Sequence, residues 1–300
     1  MRKIQIHGHR GARGLWPENT LAGFAAAIES GVDAIEMDVC FCANEVLVLS
    51  HDLALSPCLS RDRAGAWLQP PTPVIHDLTL RQLRGINVGA IDPACRYAER
   101  WPEQRTLPHA SIPTLAEVVK LAGELGARDL VFNIEPKSDP YHPEQTPAAE
   151  DYARLLLAEI GEHGIGERLF LQSFDWNLLA ALRELQPDLE PGYLTSRQPD
   201  FNTLDATANG PSLWTAGHDI KHCKDSIPRM VKAAGGKIWS SNHLDLTPAR
   251  IAEAHDLGLV LYTWTVNEES TMRWMLTEPV AAITTDYPPR LRQIMLEMGL

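Results

Sequence analysis

Short apolar runs rich in β-branched residues alternate along the whole chain with longer stretches of helical period. The runs at 3–8, 33–39, 130–135, 169–173, 190–195, 237–241, 259–265 and 281–284 read as strands. The stretches between them carry helix-start signals. Asn19 or Thr20 can cap a helix running to Ile28, Thr114 with Glu117 forms a capping box, and Asp175 precedes an amphipathic 178–185. Thr247 stands before a proline at the first helical position, and Asn267 stands before Glu268 and Glu269. Strand then helix, repeated eight times, is the pattern of parallel βαβ units in an α/β fold. Eight such units close most naturally into a (β/α)8 barrel, typically of ~250 residues.

The chain has 300 residues, and most of the surplus sits in one place. Residues 52–111 hold seven of the 22 prolines in a fifth of the chain, with one helical pattern at 78–83 capped by Thr79 and Gln82. A short extra strand at 46–51 precedes this segment. The expected layout is one domain over 1–300, with an irregular insertion at 52–111 between barrel strands two and three. A smaller irregular excursion is expected at 196–236. No repeat or linker composition divides the chain.

Charge narrows the function classes. With 27 basic and 39 acidic residues the net charge is −12, and the pI is near 5.4. That argues against a broad basic face for nucleic acid, and against binding to anionic membrane by charge alone. An anionic small molecule must then be met by a local cationic cluster. The five cysteines (Cys40, Cys42, Cys58, Cys95 and Cys223) are odd in number and irregular in spacing. This suggests a reducing compartment and no disulfide framework. The N-terminal stretch lacks the apolar core of a signal peptide, and no run approaches the ~20 apolar residues of a membrane span. The expected location is the cytoplasm, without a stable membrane anchor. Oligomeric state is left open.

In a barrel, chemistry stands at the C-terminal ends of the strands. Glu36 and Asp38 occupy positions i and i+2 of one strand, so they share a face, roughly 6.6 Å apart. Ile35, Met37 and Val39 take the opposite face, toward the helices. Two like charges directed into a barrel are costly unless a cation sits between them. Glu135, ending the next barrel strand, completes three oxygen donors, a set suited to Mg²⁺ or Ca²⁺. A buried ion network with Arg10 or Lys137 is the alternative, and spacing alone does not choose.

His9 and His51 follow strands that reach the same rim. Imidazole, with an ordinary pKa near 6.5, can give or take a proton there; a satisfied structural histidine is the alternative for either. Residues 9–14 add two guanidinium groups and flexible backbone, suited to gripping phosphate or carboxylate. The glycines at 8, 11 and 14 do not spell a dinucleotide fingerprint. Trp264 ends an apolar strand as either cleft wall or core. Cys40 and Cys42 continue the face of Glu36 and Asp38, a weak pointer to zinc. His218, His222 and Cys223 have ligand-like spacing in what reads as a solvated loop.

Taken in chain order, several motifs form a longer pattern: His9-Arg10-Gly11, Pro17-Glu18-Asn19-Thr20, Glu36-Met37-Asp38-Val39 and His51-Asp52. Asn133-Ile134-Glu135-Pro136-Lys137, Gln172-Ser173-Phe174, Tyr262-Thr263-Trp264-Thr265-Val266-Asn267 and Thr285-Asp286-Tyr287-Pro288 continue it. In this order the chain resembles the glycerophosphodiester phosphodiesterases over nearly its whole length. The resemblance implies a TIM barrel that cleaves small-molecule glycerophosphodiesters to glycerol phosphate and an alcohol, using a divalent metal. It implies metal binding by Glu36, Asp38 and Glu135, and acid–base roles for His9 and His51. Arg10 and Lys137 would hold the phosphate, Glu18 would support the metal and glycerol site, and Trp264 would line the substrate pocket.

The pattern has departures. Cys42-Ala43-Asn44-Glu45 stands where the family usually reads Thr-Lys-Asp-Gly, and the match is poor from His51-Asp52 to Leu78. The alcohol is therefore open. Two rival readings exist. His7-x-His9 with His243 and Asp286 would suit an amidohydrolase-type zinc hydrolase, which leaves Glu36 and Asp38 unexplained. A non-catalytic phosphate- or metal-binding barrel would not need both histidines.

Overall fold

The computed structural model describes residues 4–208 and 210–300. Lys3, expected to open the first strand, lies outside the described residues. The eight expected barrel strands are present: β1 (Gln5–Gly8), β2 (Ala34–Phe41), β4 (Val131–Pro136), β5 (Leu169–Ser173), β6 (Gly192–Thr195), β9 (Ile238–Asn242), β10 (Val260–Trp264) and β11 (Ala282–Thr285). The extra strand β3 (Leu47–Leu49) lies antiparallel on β2, and β7 (Arg197–Gln198) with β8 (Phe201–Asn202) forms a separate hairpin. Each barrel strand pairs in parallel with the next one along the chain, and β1 pairs with both β2 and β11. The result is a closed (β/α)8 barrel.

The helices are α1 (Leu21–Glu29), α2 (Leu80–Leu83), α3 (Leu115–Glu124), α4 (Ala149–Glu162), α5 (Trp176–Leu185), α6 (Ile227–Ala233), α7 (Pro248–Asp256), α8 (Glu269–Thr277) and α9 (Pro288–Glu297). Thr20 caps α1, capping boxes open α2 and α3, and Asp175 and Thr247 cap α5 and α7. In each case the side-chain oxygen satisfies a backbone N–H that the first helical turn leaves free. Asn267 departs from expectation: Glu268 precedes α8 without a side-chain cap, and Asn267 is turned to Asp286 instead. Helix α6 was hidden in the irregular excursion, because seven residues are too few to show a period.

Strand β2 explains how the core and site share one element. Ile35, Met37 and Val39 are fully buried toward the helices, with Phe24 and Val118 in the same core. Glu36 and Asp38 face the other way. Further along the strand, Cys40 and Cys42 pack with Val48, Leu55, Ile75, Leu83 and Ile112 in a second apolar cluster beneath residues 52–111. The two thiols therefore fill apolar space and do not form a zinc site.

The cysteines overturn one expectation. Cys58 and Cys95 form a disulfide with Cα atoms 5.8 Å apart. Backbone pairing joins the two arms of the segment at this point, the Asp92 amide donating to the Cys58 carbonyl at 2.8 Å. A separation of 37 residues carried no sequence sign of that approach.

Candidate active site

Strand register assembles the site. Gly8 pairs with Thr285 on one side and Ile35 on the other, so His9, Asp286 and Glu36 emerge next to each other. On the far side of β2, Glu36 pairs with Asn133 and Asp38 with Glu135. Parallel strands in register thus place residues from four distant sequence regions on one rim.

His9 donates from Nδ1 to Asp286 Oδ1 at 2.7 Å, and its Nε2 lies 3.8 Å from Glu36 Oε2. Asp286 is fully buried and also accepts from Arg13 (Nε at 2.7 Å, Nη2 at 3.0 Å) and Asn267 Nδ2 at 2.7 Å. Burial alone would raise its pKa, but Arg13 and His9 outweigh that and hold it well below the usual carboxylate range. An ionised carboxylate only accepts, so His9 Nδ1 carries the hydrogen and Nε2 is left bare. Burial pushes the His9 pKa down to about 4, against the opposing pull of Asp286.

One oxygen from each of Glu36, Asp38 and Glu135 lies within 4.8 Å of the others, and all three residues are buried. Burial, and then the charges of Asp38 and Glu135, raise the Glu36 pKa well above its ordinary value. Its Oε2 accepts from the Arg10 backbone at 2.8 Å. Asp38 moves the other way, because Arg10 and Lys137 outweigh its burial. Asp38 Oδ2 accepts from Asn19 at 2.9 Å and lies 3.1 Å from Arg10 Nε. Asp38 Oδ1 is buried without a hydrogen bond, with Lys137 Nζ at 3.5 Å; that ammonium donates to Glu135 at 2.5 Å. The triad and the ion network are therefore present together. An all-oxygen donor set, crowded carboxylates and one buried oxygen without a hydrogen bond fit a hard divalent cation.

The turn after β1 shapes this cluster. Arg10 adopts φ 49° and Gly11 φ 87°, and a Cβ on Gly11 would fall 2.7 Å from the Gly23 backbone. The reversal aims Arg10 at Glu18, with Nη1 to Oε1 at 2.6 Å, while the Tyr97 hydroxyl donates to the other Glu18 oxygen. Arg13 does not supply the free anion grip expected of residues 9–14. Its guanidinium is bound to Asp286 and stacked 4.3 Å from the Trp101 ring.

A cavity of about 470 Å³ opens over the cluster and is lined by His9, Arg10, Glu36, His51, Glu135, Lys137 and Trp264 among others. The His51 side chain is 37% exposed and its Nδ1 contacts Asp52 at 2.7 Å. Trp264 donates from Nε1 to the Ser240 carbonyl at 3.1 Å, so its polar end is satisfied while the ring faces the cavity. Glu18 does not line the cavity but supports Arg10 from behind.

Asn19, Tyr97, Arg13 and Asp286 complete the site without having been singled out for these contacts. The sequence points to Arg13 as an anion grip and to Asp286 as a zinc ligand, Asn19 stands in a motif, and Tyr97 carries no signal. The zinc reading does not assemble. His7 contacts Asn133 and Gln5, and His243 contacts the Trp264 carbonyl. Among the described residues, Glu36, Asp38 and Glu135 are the one group of three acidic, histidine or cysteine side chains close enough to share an ion.

A closed barrel carrying carboxylates, imidazoles and cationic side chains together at the C-terminal ends of its strands has the layout of an α/β-barrel enzyme. The family model described as the glycerophosphoryl diester phosphodiesterase family matches residues 9–290. The chain belongs to that family and is an enzyme that hydrolyses glycerophosphodiesters. A glycerophosphodiester phosphodiesterase from Caldanaerobacter subterraneus subsp. tengcongensis is 26% identical, covering 99% of this chain and 100% of its own. A crystal structure from Silicibacter pomeroyi DSS-3 bearing the family's name is 37% identical with TM-score 0.87, over 100% of this chain and 95% of that one. An Oleispira antarctica phosphodiesterase, solved with the product sn-glycerol-3-phosphate, shares the fold at 20% identity and TM-score 0.68. That match covers 97% of this chain and 96% of its own.

Proposed function

We propose that the enzyme releases glycerol phosphate from glycerophosphodiesters by acid–base catalysis between His9 and His51, with a divalent metal at the acidic triad. The observation that carries this reading is the bare His9 Nε2, backed by ionised Asp286, beside a carboxylate triad in which one buried Asp38 oxygen has no hydrogen bond. Glu36, Asp38 and Glu135 would hold Mg²⁺ or Ca²⁺, which when bound supplies Lewis-acid stabilisation of charge on the phosphoryl oxygens.

Arg10 and Lys137 bind the phosphate from the same rim, and Glu18 keeps Arg10 in place. One imidazole takes the proton of the attacking hydroxyl, from water or from the neighbouring glycerol hydroxyl. The other protonates the departing alkoxide. Trp264 lines the substrate cavity, and the chain works as one catalytic domain with 52–111 as an insertion. The cytoplasm is the proposed place of action. No helix among the described residues is long and apolar enough to cross a membrane. The Cys58–Cys95 disulfide bears against that location, and alkylation in fresh extract followed by mass measurement tests it: a bridge kept in the cell overturns it.

The test is glycerol phosphate release by purified protein, before and after chelation and on return of Mg²⁺ or Ca²⁺. Chelation should abolish turnover and metal restore it. His9→Ala and His51→Ala should each lose about 10²–10⁴-fold in kcat while calorimetry still shows metal binding. Full activity in chelator, or in either variant, refutes the reading.

A further inference from the structure

Residues 92–105 of the insertion form an arm with two unequal ends. The far end is seated on the barrel. Trp101 is buried in the main core with its ring over Arg13, Gln104 donates to the Arg13 carbonyl at 2.7 Å, and the Arg105 amide donates to the Leu15 carbonyl at 2.9 Å. The near end carries Tyr97, whose hydroxyl donates to Glu18 behind Arg10. Tyr97 stands in the short 3₁₀ turn Arg96–Arg100, which Cys95 opens without a side-chain cap. Such a turn is weakly held by its own hydrogen bonds, so its first residue needs an outside hold. Cys95 has one in its bridge to Cys58, next to the bond from the Asp92 amide to the Cys58 carbonyl at 2.8 Å.

The rest of the insertion is held by other means. Leu55, Ile75, Leu83 and Ile112 close the apolar cluster beneath it, and backbone bridges join Ala54 to Val74 and Arg61 to both Trp67 and Asn87. Opening the disulfide therefore loosens Cys95 and the turn that follows, and leaves the barrel register and both cores in place. The bridge is also within reach of solvent. Cys58 and Cys95 are half-buried, and Pro93, Ala94 and Arg96 beside Cys95 are exposed. Access of this kind lets an external thiolate attack a bridge sulfur.

We propose that the Cys58–Cys95 bridge is a redox control on phosphate binding: closed, it seats Tyr97 on Glu18, and a dithiol reductant opens it. In the opening step one thiolate of the dithiol attacks a bridge sulfur, the Cys58–Cys95 bond breaks, and the departing sulfur takes a proton. The second thiol of the reductant then displaces the remaining cysteine, so the enzyme gains two thiols and the dithiol leaves as its own disulfide. With the bridge open, Tyr97 is no longer held to Glu18, and Arg10 is positioned less firmly for the phosphate. The inference rests on the phosphate-holding role of Arg10 above and adds its regulation.

The test is glycerophosphocholine hydrolysis at saturating Mg²⁺ or Ca²⁺ before and after dithiothreitol, with the state of the bridge read by alkylation and mass. Reduction should raise KM about three- to tenfold and leave kcat within about twofold. Calorimetry should show glycerol phosphate binding weakened by the same factor, and oxidised glutathione should restore both. The double variant Cys58→Ser, Cys95→Ser should carry the raised KM with or without dithiol. In Tyr97→Phe, reduction should add less than about twofold, because both changes act on one contact. A KM unmoved by reduction, or a full further rise in Tyr97→Phe, overturns the inference while the hydrolysis stands. A reduced enzyme that melts below the assay temperature also overturns it, since the bridge is then a staple of the fold. Arg10→Gln binding glycerol phosphate as tightly as the unmodified enzyme would instead remove the role of Arg10 on which the inference rests.

Discussion

Asp286→Asn is the most demanding substitution for the proposed chemistry, because it keeps the shape of one buried side chain and removes only its charge. The carboxylate accepts four hydrogen bonds, from His9, from Arg13 twice and from Asn267. An amide offers one acceptor oxygen and presents a donor where the second stood. If its oxygen takes the Oδ2 place, its NH₂ meets both His9 and Arg13 Nε, and the ring must switch tautomer, so that Nε2 gains a hydrogen and cannot take a proton. The expected loss in kcat is on the order of 10³–10⁴-fold, with KM little changed, which is about 4–5 kcal/mol of barrier. The opposite orientation keeps the His9 and Arg13 Nε bonds and sets the NH₂ against Arg13 Nη2 and Asn267; in both, Arg13 loses its buried counter-charge, at a cost of about 3–5 kcal/mol in stability. Steady-state kinetics at saturating metal separate the two orientations, and a thermal melt on the same sample reads the loss of the buried pair. A folded variant with turnover within tenfold of the unmodified enzyme would show that Asp286 does not set the His9 tautomer for catalysis.

Two other perturbations probe the supports of the site. Tyr97→Phe removes the donor that holds Glu18 behind Arg10, together with a long acceptor for Arg13 at 3.3 Å, and Arg13 keeps both of its bonds to Asp286; KM should therefore rise about three- to tenfold with kcat nearly constant, and a fall in kcat at constant KM would contradict that path. His7, buried between Asn133 and Gln5 with its pKa pushed down to about 4 by burial, should make the fold acid-sensitive. The unfolded chain takes up the proton first as pH falls. The stability is thus fully present above about pH 6.5, is lost between there and about pH 4, and is down by about 2 kcal/mol at pH 5. Urea midpoints at pH 8 and pH 5 should therefore differ less for His7→Gln than for the unmodified protein, and an unchanged difference would rule His7 out as a source.

What the chain determines by itself is what repeats locally. The apolar runs and caps specify strand, helix and their alternation, because each rests on contacts within a few residues: Thr114 with Glu117, or Asp175 with the Asn177 amide. The i, i+2 spacing put Glu36 and Asp38 on one face for the same reason. Closure of the barrel decided the rest. Asp286 reaches His9 across 277 positions only because β11 pairs in register with β1, and Tyr97 reaches Glu18 only because the 52–111 segment folds back over the rim. Two cysteines 37 residues apart became a disulfide by the same route. Phe201 and Trp214 joined Phe174 although nothing in their local patterns distinguished them. Local periodicity fixes which way a side chain points. Only the register and closure of the whole sheet bring two distant side chains within bonding distance.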